Sequence, residues 1–340
     1  MSYPQNTSKI SKSLIIALIL VFSVCDMFSN ELDTVKRLSR EEFLLANEPR
    51  TRIIGGTPPL NTNYSFTRTA LVTGGVASLF TVQHILQSNT IWAEKAEFKF
   101  VEDGAYTLYV DKAGHFVSSY LSCYFLGEAL LAADFSYDDA MIIGGFLGLS
   151  YISYIEVMDG FGANFGFSPS DFYFNASGAL FYLGQYYFPY LQNIKPKFSY
   201  IPANWHGEIP REEAFFFVDD YSSQTFWLSF NIYNMVPSVR SFWPDWLELS
   251  VGYAARNLCD PLAGDCDLSK SKPFNWGKWS PYGSPRVIFA LDYNLKRMFP
   301  NSKYEIVNWF IQSFDYFKWP SPAVEFEING NPRFYLVYPF

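Results

Sequence analysis

Charge is scarce in this sequence, and positive charge is scarcer. Lys and Arg number 25 against 33 Asp and Glu, charged residues make up 17% of 340, and the net charge is −8. A soluble domain usually carries about a quarter charged residues. Nucleic acid is excluded as a partner, because gripping phosphates takes a basic face. A general affinity for anionic lipid surfaces is disfavoured for the same reason. Histidine (3) and cysteine (4) are equally sparse. No second pair of Cys or His stands near Cys259 and Cys266, which argues against a zinc site there. Those two cysteines bracket a turn-rich Asp-Pro-Leu-Ala-Gly-Asp and are a disulfide candidate for an oxidising compartment, the alternative being two free thiols in a loop. Also missing are a nucleophile elbow, a P-loop and a dinucleotide fingerprint, so no cofactor is identified.

What the chain has in place of charge is aromatic surface, at 20% with 34 Phe and 24 Tyr. Amphipathic rings sit well at headgroup depth, so this composition suits contact with a membrane interface. Lys9 and Lys12 precede a short apolar run from Ser13 to Cys25, so residues 1–25 read as a secretory signal peptide or an N-terminal anchor. Residues 26–64 are polar, then rich in Gly, Pro and Asn, and read as a linker.

Four helices are expected between 65 and 195: Thr67 to Trp92, Phe116 to Ala133, Asp138 to Asp159 and Phe172 to Leu191. Glu97 to Val110 has the pattern of two short arms about a Glu-Asp-Gly turn. His84, in the first helix, reads as a packed, hydrogen-bonded histidine rather than a ligand. Gly144 and Gly148 give the third helix a spacing that allows close helix approach. From 196 to 340 the period changes to two. Alternation over Phe226 to Met235, Leu247 to Ala254, Val287 to Lys296, Val324 to Ile328 and Phe334 to Phe340 predicts an antiparallel sheet or partial barrel of about five strands or more. Strands of this length with aromatics at their ends resemble those of outer-membrane barrels. A short helix, Tyr304 to Phe317, interrupts the series. The expectation is a membrane-associated α+β body, about four packed helices with polar residues inward followed by the sheet.

The polar residues inside the apolar helices recur at helical spacing. Asp111 and His115 are four apart, Glu156 and Asp159 three apart, and Asp171 and Asn175 four apart, so each pair shares a helix face. In such apolar surroundings these groups must find one another or water. Together Asp111, His115, Glu156, Asp159, Asp171 and Asn175 are the candidate site. Asp111, His115, Glu156 and Asp159 are candidate ligands for a divalent cation, or His115 is a general base oriented by a carboxylate. The competing reading is that these groups cap and tie helices, as Asp171 would after Ser-Pro-Ser.

Asp-Lys-Ala-Gly-His (Asp111 to His115), Glu-x-x-Asp-Gly (Glu156 to Gly160) and Gly-Phe-Ser-x-x-Asp-x-x-x-Asn (Gly166 to Asn175) resemble an uncharacterised bacterial envelope family described as predicted periplasmic lipoproteins. Asp220 to Ser229 and Trp243 to Leu247 resemble its long, Bacteroidetes-type form, so the resemblance runs over roughly residues 90 to 330. The helical core is more distantly similar to VanZ-type membrane proteins. The family resemblance implies an envelope location and no known activity, and Val24 ahead of Cys25 departs from a lipoprotein cleavage box. The expected protein is non-enzymatic, lies in the outer membrane or faces the periplasm, and acts in structure, assembly or the binding of an apolar ligand. Its expected partners are membrane lipid and other envelope proteins. The alternative is a membrane-embedded hydrolase or metal-dependent lipid-modifying enzyme built on the polar cluster.

Overall fold

The computed structural model describes residues 35–103, 107–208, 220–259, 282–327 and 330–338. The expected signal segment, Cys25, Cys266 and Phe340 lie outside the described residues. Cys259 is disulfide-bonded.

A two-residue hairpin comes first, β1 (Leu44–Leu45) with β2 (Glu48–Pro49), followed by α1 (Phe66–Ser88), α2 (Val110–Ala132), α3 (Tyr137–Gly160) and α4 (Pro169–Tyr187). The start of α3 follows from Ser136, whose hydroxyl accepts from Asp139 N, with Asp138 and Asp139 in the first turn. Ser168 caps α4 in the same way through Asp171 N, with Pro169 at a position where its missing N–H is harmless. Helix α2 is the hub. Tyr120, Cys123, Tyr124 and Leu131 pack against Ala140 and Met141 of α3 and Ala179 and Tyr182 of α4. Val110 and Val117 pack on Phe226, Ala255 and Leu258 of the sheet.

The second half is an antiparallel meander of β3 (Ile194–Tyr200), β4 (Gln224–Phe230), β5 (Leu247–Cys259), β6 (Tyr282–Tyr293), β7 (Ser321–Glu327) and β8 (Arg333–Tyr338). Short helices α5 (Ile232–Met235), α6 (Leu295–Met298) and α7 (Glu305–Phe314) decorate it. The sheet curls strongly. Trp227 of β4 meets Tyr338 of β8 edge-on at 5.8 Å. The stretch leading into β7 bonds back to the first strand through Phe198 N to Tyr316 O (3.1 Å) and Lys318 N to Phe198 O (2.9 Å). The α+β class and the partial barrel are therefore as the alternation suggests.

The barrel is inverted. One register line runs Leu228, Val251, Phe289, Val324, Phe334 across five strands, and it faces outward: Phe289 is 51% and Phe334 70% exposed. The opposite face carries charge into the interior. Lys195 Nζ sits 2.7 Å from Glu248 Oε1, Lys197 Nζ sits 3.1 Å from Asp292 Oδ2, and Ser250 donates to Asp292 at 2.8 Å. The helices repeat the theme. Leu71, Leu79, Val82 and Ile85 of α1 are exposed, as are Phe146 and Leu147 of α3 and Leu180 of α4. Helices α1 and α3 are each long and apolar enough to cross a membrane.

Three expectations need correction. Residues 35–64 are not a free linker: Phe43, Glu48, Arg50 and Arg52 are buried, and Arg50 pairs with Glu128 of α2 at 2.6 Å. Helix α2 begins at Val110 rather than Phe116, so the Asp-Lys-Ala-Gly-His stretch is its opening turns. The described part of Glu97 to Val110 forms no hairpin, but bridges through Phe100 to Phe167 beyond α3.

Candidate functional site

Three helix ends meet at the site. The first turns of α2 and α4 and the last turn of α3 bring Asp111, Lys112, His115, Glu156, Asp171 and Asn175 together, while Asp103 arrives from the loop before α2 and Tyr221 from the turn before β4. The entry to α2 is strained. Leu108 (φ 54°) and Tyr109 (φ 66°) are both left-handed, a conformation costing a non-glycine residue on the order of 1 kcal/mol or more. Tyr253 of β5 helps hold it, its hydroxyl donating to Leu108 O. Gly114 lets the sheet approach, since a Cβ there would lie 3.1 Å from the Phe226 ring.

Lys112 is the internal cation, buried, with its ammonium against Asp103, Asp111 Oδ2 and Asp171 Oδ1. His115 lies on the other side of the two aspartates. Its Nε2 is 3.3 Å from Asp111 Oδ1 and 3.6 Å from Asp171 Oδ2, and its Nδ1 is 3.3 Å from Glu156 Oε1. Nδ1 is nearer still, at 3.1 Å, to the side-chain amide oxygen Oδ1 of Asn175, an acceptor suited to a protonated Nδ1. Nε2 faces two carboxylate oxygens and, in the absence of another cation, must carry a hydrogen too. Tyr221 donates its hydroxyl to Asp111 Oδ1 at 2.6 Å.

The electrostatics follow from this crowding. Burial opposes the imidazolium of His115, but Asp111, then Asp171 and Glu156, outweigh it and hold His115 up at about 10. Burial likewise opposes ionisation of Asp111, yet His115 and Lys112 keep its carboxyl well below the usual range. For Asp171, burial and the adjacent Asp111 charge win over His115 and Lys112, and its carboxyl is raised. Two buried polar atoms beside the ring have no hydrogen-bond partner, Glu156 Oε1 and Asn175 Nδ2.

Five of the six residues singled out from the sequence thus converge. Asp159 does not. It turns to Trp92, accepting from Nε1 at 2.6 Å. Lys112 is a full member of the cluster as well. Asp103 and Tyr221 carry no periodic signal, although Tyr221 stands inside the Asp220 to Ser229 motif. His84 contacts the Tyr154 hydroxyl at 2.8 Å, on an α1 that buries none of its residues.

No curated protein and no solved structure matches the chain. The match to a family model is narrower than the motifs suggest and does not show the VanZ-type likeness. It supports a periplasmic or envelope location. The matched stretch holds α2, α3 and α4 with every member of the cluster except Tyr221: residues 99–186 match the family model described as Predicted periplasmic lipoprotein (DUF2279).

Proposed function

We propose that the chain is a non-enzymatic, lipid-seated protein of the cell envelope, in the outer membrane or facing the periplasm, with a structural, assembly or apolar-partner role. The observation that carries this reading is the inversion of polarity. Contiguous exposed apolar surface marks a membrane or partner contact, and here it runs over α1, α3, α4 and the outer face of the barrel. Charged side chains meanwhile pair in the interior. In this role the polar cluster is a clamp, because Tyr221 ties the barrel half to α2 through Asp111.

Washing membranes that contain the full chain with alkaline carbonate tests the seating. The protein should stay with the lipid pellet, and its release into the wash would sink the reading. The partly exposed His115 favours a second reading, a membrane-embedded hydrolase or lipid-modifying enzyme. His115→Ala separates the two. A clamp predicts lower abundance and thermal stability with unchanged envelope lipids, whereas an enzyme predicts a normally abundant protein with an altered lipid profile.

A further inference from the structure

The cluster is over-supplied with acid. Asp103, Asp111, Glu156 and Asp171 face one ammonium, Lys112, and one imidazole, His115. Buried carboxylates do not stay ionised without a counter-charge. Lys112 engages one oxygen of each central aspartate, Oδ2 of Asp111 and Oδ1 of Asp171. The other two, Asp111 Oδ1 and Asp171 Oδ2, point with His115 Nε2 at a common spot away from Lys112. These three ligand types come within 4.8 Å of one another.

We propose that this spot is a divalent-cation site, with His115 Nε2, Asp111 and Asp171 as ligands and an ion of the zinc class as occupant. The distances fit. Bonds of about 2.0–2.1 Å in a tetrahedron put neighbouring ligand atoms roughly 3.3 Å apart, and Nε2 lies 3.3 Å from Asp111 Oδ1 and 3.6 Å from Asp171 Oδ2. The imidazole ligand favours a borderline first-row ion over calcium or magnesium, which take oxygen.

An independent observation lies behind the ring. A metal-bound histidine almost always has its far nitrogen held by a carboxylate or carbonyl. Here Nδ1 is held by the Asn175 side-chain oxygen Oδ1 at 3.1 Å, with the Glu156 carboxylate oxygen Oε1 at 3.3 Å. Glu156 is 2% exposed, and its Oε1, which has no hydrogen bond, faces Nδ1 from behind the ring. It is a buried acceptor whose role is explained once the ring is pinned as a ligand. On binding, the ion takes the place of the Nε2 proton, which leaves to solvent, and the acid-rich cluster gains one net positive charge. Three protein ligands leave a fourth position, which water fills.

The test uses the full chain in detergent, stripped with chelator and equilibrated with Zn²⁺ or Co²⁺. The proposal expects about one ion per chain and Co²⁺ visible bands of nitrogen–oxygen coordination. His115→Gln and Asp171→Asn should abolish both. Asn175→Ala should weaken binding about 10–100-fold by freeing the ring, and Asp245→Asn, on an exposed ion pair, should change nothing. Retention of under a tenth of an ion by the unsubstituted chain, Co²⁺ bands of thiolate coordination, or full binding by a folded His115→Gln would each overturn it.

Discussion

One chemical change, glycine to alanine, should act with opposite sign on α1 and α3. A methyl group in a helix interior gains roughly 1 kcal/mol over glycine when nothing else changes. At Gly75 nothing lies within 4 Å of the added Cβ, so Gly75→Ala should stabilise by up to that amount. At Gly148 the Cβ would stand 2.5 Å from Cys123 N and 2.6 Å from Cys123 Cα, and at Gly144 it would stand 2.7 Å from Gly127 Cα and N. Those are backbone atoms that no rotamer change can move. Relief requires α2 and α3 to separate, and overpacking of that kind costs about 1–3 kcal/mol, occasionally more. It offsets the propensity gain and, at the upper end, exceeds it by about 2 kcal/mol. Denaturant unfolding of the detergent-solubilised chain, followed by tryptophan fluorescence, reads both variants on one scale. A Gly148→Ala protein as stable as Gly75→Ala would refute the close α2–α3 packing.

Other consequences are equally measurable. Glu128→Gln strands the buried Arg50 guanidinium, which loses its partner at 2.6 Å; unfolding should show a loss of about 3–5 kcal/mol, largely recovered when Arg50→Met is added. In the metal-free chain His115 sits at about 10 when folded, above its ordinary 6.5. Its contribution to stability is therefore complete below pH 6.5 and lost as pH rises through 10. Unfolding midpoints at pH 6 and pH 10 should differ more for the unsubstituted chain than for His115→Gln; equal differences would count against the ion pairs to Asp111 and Asp171. Leu228→Asp, on the outer face of the barrel, should reduce recovery in membranes while leaving the soluble fraction increased, as immunoblotting of fractions will report.

Helical periodicity made α1 and α3 legible to within a few residues, because long apolar segments with polar interruptions state their period. The start of α2 was hidden, since Asp111 and Lys112 look like loop residues until Asp103 and Asp171 are seen to surround them. Strand β3 was hidden as well. Lys195-Pro196-Lys197 reads as a helix stop, and only the barrel interior, where Glu248, Asp292 and Asp315 receive both lysines, explains its pairing. Alternation revealed that the sheet has two unlike faces but not which one is inside. The usual rule would have buried Leu228, Val251 and Phe289, and the fold buries Lys197, Glu248 and Asp292 instead. Glu156 and Asp159 show the limit of spacing arguments. Three residues apart near a helix end, one meets His115 and the other Trp92, because Gly160 ends α3 between two different sets of neighbours.

The central claim, that the apolar exterior is a lipid-facing surface, is tested most directly at Phe289 in the middle of the outer barrel face. A nitroxide attached through Phe289→Cys, with the chain reconstituted into phosphatidylethanolamine–phosphatidylglycerol vesicles, reports what surrounds that position. The account predicts relaxation by dissolved oxygen and protection from a water-soluble nickel chelate. Ready relaxation by the chelate with little effect of oxygen would place that face in water and contradict it.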